Sequence, residues 1–178
     1  MARTKKEILV ENLLVACAMG LLALLVAGVI FVAKSGSIAR ERSVLSDLAG
    51  RPVAAQPVAI DDPSIRRLYR LLGQGPALFG AVIDLDSRSG SAVVAAVVAA
   101  DGQIQSIRLI DISSPRAPFA AAAWFANFIG RGGDRPFPSR VDAQNIAVVS
   151  GATESYLETG AALGRLSVAV RALAGEKS

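Results

Sequence analysis

LFGAVIDLDSRSGSAVVAAVVAADGQIQSIRLIDI, the run from Leu78 to Ile112, decides how the folded part of this chain is read. Leu78 to Leu85 is rich in β-branched and aromatic residues, a strand composition. Asp86-Ser87-Arg88-Ser89-Gly90 is a turn cluster. Ser91 to Ala100 is apolar for ten residues, which suits a buried strand and is too short to cross a bilayer. Asp101-Gly102 is a tight-turn signal between two β-type runs. Gln103 to Ile112 is the third strand, alternating through Ile104, Ile107 and Leu109 with one slip in phase. Strands joined by short turns predict an antiparallel meander.

Toward the C-terminus the pattern changes. Pro118 to Ile129 predicts a helix with Phe119, Trp124, Phe125 and Phe128 as its bulky apolar positions, and an aromatic stripe of this kind reads as core rather than as a cofactor site. Gly130 to Pro138 is a glycine- and proline-rich loop, Ile146 to Val149 a short strand, and Thr153 to Ala174 a long helix. Leu157, Ala161, Leu166 and Val170 are its core candidates. The fold class is α+β, a small antiparallel sheet with helices.

Toward the N-terminus, Asp62 before Pro63 reads as an N-cap and a first-turn proline, predicting a helix over Pro63 to Leu72 that Gly73, Gly75 and Pro76 end. Gly50 to Pro63, with Pro52, Pro57 and Pro63, reads as an extended linker, and Ser37 to Asp47 as a short helix. Before these lies Leu13 to Ala33, 21 residues without a charge. At roughly 1.5 Å per residue this run reaches about 31 Å, the thickness of a hydrocarbon core. It is longer than a signal-peptide core and no small-x-small site closes it. Leu14-Val15-Ala16-Cys17 has the look of a lipoprotein signal, but Glu11 and Asn12 interrupt what precedes it and the apolar run continues past it. Cys17 therefore reads as a thiol within a membrane helix. Arg3, Lys5 and Lys6 flank one side of the span, Lys34, Arg40 and Arg42 the other. The cluster beside the span and the short tail favour an N-terminus inside. The expected organisation is a cytoplasmic tail (1–12), a transmembrane helix (13–33), a juxtamembrane segment and linker (34–62) and a domain (63–178) outside the cytoplasmic membrane.

Composition removes several chemistries. The chain has no histidine, and Cys17 is its only cysteine. No intrachain disulfide, and no catalytic arrangement built on histidine, is available. Zinc, haem and iron–sulfur sites lack their usual ligands, so no metal is expected. The formal charge of +4 is spread along the chain and aromatics are few, so nucleic acid is not an expected partner.

Candidate chemistry gathers where Val148-Val149-Ser150-Gly151-Ala152-Thr153-Glu154-Ser155 passes from strand to helix. Gly151 permits close approach, and a helix start offers unpaired N–H groups to a phosphate. Thr153 and Ser155 add hydroxyls. On residue types alone, an ordinary N-cap explains these features as well and is commoner.

The string Ser150-Gly151-Ala152-Thr153-Glu154-Ser155 resembles the S/T-G-A-T-x-S/T motif of FMN-binding domains. These occur in the FMN-carrying subunits of the Rnf electron-transport complex and of sodium-pumping NADH:quinone reductase. A specified four-residue string arises by chance in roughly a few chains per thousand of this length. Other segments follow the family's order. Gly73-Gln74-Gly75 resembles its G-x-G segment, Asp101-Gly102-Gln103-Ile104 its D-G-x-I turn and strand, and Phe128-Ile129-Gly130-Arg131 its F-x-G-K/R helix end. The resemblance runs from about residue 73 to the C-terminus.

It implies that Thr153 bears FMN through a phosphoester, with Ser150, Gly151, Ala152 and Ser155 around it and Ser113, Ser114 and Pro115 in a loop near the flavin. It implies a maturing flavin transferase that uses FAD, partner subunits of a membrane redox complex, and a single-pass location in a bacterial cytoplasmic membrane with the domain on the periplasmic side. The function implied is electron relay, with the cofactor rather than a catalytic side chain supplying the chemistry. Two departures stand out. The family's E-T-P-G loop is Ser113-Ser114-Pro115-Arg116 here, and an aspartate common three residues before the motif is Ala147, with Asp142 nearby but displaced. These departures favour an alternative, a non-flavinylated structural or assembly subunit. A flavin-dependent reductase of a small substrate is a further alternative, disfavoured by the scarcity of acid–base candidates near the motif.

Overall fold

The computed structural model describes residues 5–87, 90–113, 122–137 and 152–175. Helix α1 (Lys5–Ala49) is followed by strands β1 (Ala54–Val58), β2 (Ile65–Leu72), β3 (Leu78–Ser87), β4 (Gly90–Ala99) and β5 (Ile104–Ile112), a short helix α2 (Ala122–Ala126), and a long helix α3 (Ala152–Gly175). The chain divides into two compact units, Met1–Arg40 and Glu41–Ser178.

The described residues of the first unit are helical. The expected span and the expected short helix after it are one uninterrupted helix of 45 residues. It ends where Gly50 turns into the left-handed region at φ 64° and donates its N–H to the Asp47 carbonyl at 3.1 Å. Among the described residues this is the one helix long and apolar enough to cross a membrane. Met19, Leu21, Leu22, Leu24, Leu25 and Ile30 are each at least 60% exposed, as lipid-facing side chains would be.

The second unit holds a five-stranded sheet in the order β1-β2-β3-β4-β5, every neighbouring pair antiparallel. The fold is α+β, and the predicted meander is present as β3-β4-β5. Leu78↔Ala99 through Ser87↔Gly90 pair without interruption. The slip in the β5 alternation is real: the β4–β5 register shifts between Val93 and Val94 and again between Val97 and Val98. Gly102, at φ +86°, makes the turn between them.

Two upstream expectations are corrected. Pro63 to Leu72 is not a helix; from Ile65 it is strand β2. The Asp62-Pro63 signal is used differently. The Asp62 carboxylate accepts the Ser64 N–H at 2.9 Å and its carbonyl accepts the Ile65 N–H at 3.0 Å, so the aspartate caps a turn rather than a helix. Ile65, Leu68, Tyr69 and Leu72 happen to fall at helical spacing. β2 is covered on both faces, Ile65 and Leu68 packing on one and Tyr69 and Leu71 on the other, so no simple alternation survives, and Leu72 at its end is 47% exposed. The stretch expected to be a linker supplies β1, an edge strand that accommodates Pro57.

The sheet is sandwiched. One face packs Phe79, Ile83, Val94 and Val98 against Phe125 and Phe128 and against Tyr156, Leu163, Leu166 and Val170 of α3. The other face packs Tyr69, Leu71, Leu78, Ala95 and Val97 against Leu45, at the end of α1. A Cβ on Gly80 would lie 3.0 Å from both methyls of Leu45, so the glycine in β3 lets the helix sit down on the sheet. Glu41, 5% exposed, pairs with Arg67 of β2, and the Arg42 guanidinium lies 5.9 Å over the Tyr69 ring. The Glu41 partnership raises the Arg67 pKa above its ordinary value.

Candidate functional site

Thr153 lies in the first turn of α3, a 24-residue helix that begins at Ala152. Its N-terminal N–H groups and dipole favour an anion there, and Glu154 is the acidic side chain of that turn. Ser113, Thr153 and Ser155 are in the described residues. Ser114, Pro115, Ser150 and Gly151 lie outside them, as do Phe119, Asp142, Ala147 and the strand expected over 146–149. Ala152 is present as the first residue of the helix.

Helical phase separates the motif's hydroxyls. Two residues advance about 200° around an α-helix, so Thr153 and Ser155 leave α3 on opposite flanks. The core-facing residues between those flanks are Tyr156, Leu163, Leu166 and Val170, all fully buried. Of the expected core positions, Leu166 and Val170 are buried, Leu157 is half-buried and Ala161 is exposed. Tyr156 and Leu163 were missed, although 156, 163, 166 and 170 share a spacing of three and four that marks one helix face.

The Ser155 flank borders a cleft of about 400 Å³ between α3 and the end of β3. Ser64, Asp84, Asp86, Glu158 and Arg165 line it with Ser155, which is itself 1% exposed. Thr159 donates its hydroxyl to the Ser155 carbonyl at 2.7 Å. A second cleft, of about 390 Å³, shares Pro63, Asp84 and Asp86 with the first and is lined by Ser91, Asp111 and Ser113 on its far side. Thus the structure brings Ser113 and Ser155 to one end of the sheet. The Ser113 hydroxyl accepts the Ser91 N–H at 2.8 Å, and the Ser113 N–H donates to the Ser91 carbonyl at 2.9 Å, so this serine extends the β4–β5 ladder. At the corner of the first cleft, Ser64 donates its hydroxyl to Asp62 at 2.6 Å and Arg165 of α3 approaches the same carboxylate at 3.4 Å. The Ser64 hydrogen bond, helped by Arg165, holds the Asp62 carboxyl below its ordinary pKa against an opposing effect of burial.

The Thr153 flank is different in chemistry. Following it along α3 leads to Leu157 and then to Gly164, where a Cβ would touch Phe137 at 3.6 Å. Between this flank and the core lies an aromatic group: the Trp124 ring meets Tyr156 edge-on with centroids 5.5 Å apart, and Phe128 packs on Tyr156 at 4.7 Å. Phe125 and Phe128 are fully buried, as expected for core, whereas Trp124, Phe137 and Leu157 are half-buried and leave an apolar margin. The loop bearing Phe137 is ordered by backbone pairing: Gly130 donates to the Ile104 carbonyl and Ile104 to the Arg131 carbonyl, each at 2.8 Å. Gly130, at φ +77°, supports that geometry. Thr153 lines neither of the two clefts.

These flanks suit different ligands. The Ser155 cleft is lined by Asp86 and Glu158 together with two paired groups, Asp84 with Arg66 at 2.6 Å and Arg165 with Asp62 at 3.4 Å, so its charge is mixed with an acidic excess. The Thr153 side offers a helix start with half-buried apolar side chains near it. No protein-family model matches the chain, and no curated protein sequence matches it.

Proposed function

We propose that the chain is a membrane-anchored electron-transfer subunit carrying FMN as a phosphoester on Thr153. The observation that carries this reading is the S-G-A-T-E-S string placed so that its threonine occupies the first turn of a long helix, beside half-buried apolar side chains. Loading joins the Thr153 hydroxyl oxygen to the FMN phosphorus of FAD; the bond to AMP breaks, AMP leaves, and the hydroxyl proton passes to a base of the flavin transferase. The ester makes the phosphate permanent at the helix start, where the dipole favours it. Bound FMN would supply the redox chemistry. The protein's own part is to hold it, to shield one side of it with Leu157 and Trp124, and to keep it at a membrane beside partner subunits through α1. The N-terminus is inside and the domain outside a bacterial cytoplasmic membrane in this reading. A periplasm-active reporter fused to the C-terminus should be active, and an inactive but membrane-bound fusion would reverse the sidedness.

The decisive experiment is in-gel flavin fluorescence after denaturation, from cells that contain an active flavin transferase. The chain should fluoresce, Thr153→Ala should abolish the signal, and peptide mass spectrometry should place an FMN-sized addition on Thr153. Thr153→Ala should leave the domain folded, since losing a helix-start hydroxyl costs only about 0.5–2 kcal/mol. An unmodified chain under these conditions would refute the reading in favour of a structural or assembly subunit, and an addition on Ser155 would move the tether to the acid-lined flank.

A further inference from the structure

We infer that the Trp124 indole is the surface on which the flavin ring rests, on the Thr153 flank of α3 and not in the cleft on the Ser155 flank; this rests on the FMN reading above. The tether is short. A ribityl phosphate leaving Thr153 places the ring within roughly two helical turns, about 11 Å along α3. On the Thr153 flank that distance covers Leu157, one turn on, and the neighbourhood of Tyr156, which Trp124 meets at 5.5 Å. Phe137, against Gly164 three turns on, closes the far end. An aromatic ring needs apolar surface, and this margin is apolar: Trp124, Leu157 and Phe137 are its half-buried members. Tyr156 itself is fully buried beneath Trp124 and Phe128, which leaves the half-buried indole as the aromatic group at the edge of this flank.

The opposite flank fails on two counts. It lies about 200° around the helix from the tether, judged by Ser155. Its cleft also holds Asp86 and Glu158, whose charges oppose a phosphate, beside Asp84 and Arg165, which are each paired to an opposite charge. Trp124 acts here as a positioning residue that also shields the ring from water.

Trp124 is the only tryptophan in the chain, which makes the test specific. An indole in contact with a flavin quenches its emission by electron transfer, and that quenching vanishes beyond contact range. The measurement is flavin emission of the full-length, flavinylated protein in detergent, native and then denatured. Native emission should be several-fold below the denatured value. Trp124→Phe and Trp124→Leu should each raise native emission several-fold, while Glu158→Gln, on the other flank, leaves it unchanged. Circular dichroism identifies the folded variants, and Trp124→Phe preserves an aromatic in the Tyr156 contact if the leucine does not fold. Unquenched native emission, quenching that persists in the folded variants, or relief by Glu158→Gln would each overturn the assignment while leaving covalent FMN intact. Absence of gel-resistant flavin would overturn the FMN reading and this inference with it.

Discussion

The two faces of the sheet are covered by helices of different origin. On one face α3 and α2 bury a large core that includes Phe79, Ile83, Leu163, Leu166 and Val170. On the other, a few residues at the end of α1 cover Tyr69, Leu71, Leu78, Ala95 and Val97. The large face is held chiefly by side-chain volume, with Arg165 of α3 fastened to Asp62 and Ser64 at one corner. The small one adds polar fastenings: the Glu41–Arg67 pair, Arg42 over Tyr69, and the Ser106 hydroxyl donating to the Leu48 carbonyl at 3.1 Å. The difference teaches that the last turns of the apolar helix's own continuation are part of the folded domain. The thick layer carries the candidate site, and the thin one carries the attachment.

The harshest way to break that comparison is to remove the thin layer. A chain cut to 50–178 exposes Tyr69, Leu71 and Leu78, each worth about 1.5–3 kcal/mol of burial, against a total domain stability of roughly 5–15 kcal/mol. It should be largely unfolded or aggregated, whereas 41–178 should fold; limited proteolysis and circular dichroism of the two fragments decide this. A resistant, soluble 50–178 fragment would show that the α1 end is dispensable.

A smaller effect sharpens the comparison residue by residue. Leu45→Ala and Leu166→Ala both remove a fully buried leucine and should each cost about 2–5 kcal/mol. Leu45 should lie toward the upper end. Its neighbour Gly80 has no side chain to relax into the space, while Leu166 is surrounded by a larger core. Urea midpoints of the 41–178 fragment measure the order, and a clearly smaller loss for Leu45 would contradict it.

The smallest effect concerns the corner where α3 meets the β1–β2 turn. Asp62 has a folded pKa below its unfolded value, so its contribution is fully present above the ordinary carboxylate pKa of about 3.9 and is lost as pH falls through the lowered folded value. Asp62→Asn should therefore lose stability modestly at neutral pH and flatten the acid limb of the unfolding curve. An acid limb indistinguishable from wild type would detach this carboxylate from the stability of the thick face.

How much of this was legible in the sequence varied with the range of the forces involved. The apolar run Leu13–Ala33, the turn at Asp101-Gly102 and the long helix after residue 151 are local: lack of charge, a glycine able to take positive φ, and an unbroken helical stretch each declare themselves within a few residues. The motif was equally local, and its string could be read before any fold was known. The strand at Ile65–Leu72 was hidden. Its residues face apolar partners on both sides, and those partners come from α1 and α3, far away in the chain. The role of Asp62-Pro63 as a turn rather than a helix start depended on the strand that follows it.

The sequence by itself determined that the chain has one long apolar helix, an antiparallel meander, and a hydroxyl-bearing motif at the start of a terminal helix. Those features follow from composition, turn chemistry and short-range periodicity. Only the tertiary structure decided that α1 continues into the domain's second layer, because that needs Leu45 to meet Gly80 across the chain. Only it separated Thr153, beside an aromatic margin, from Ser155, beside carboxylates, because what flanks a helix is set by the elements packed against it and not by the residues next in line.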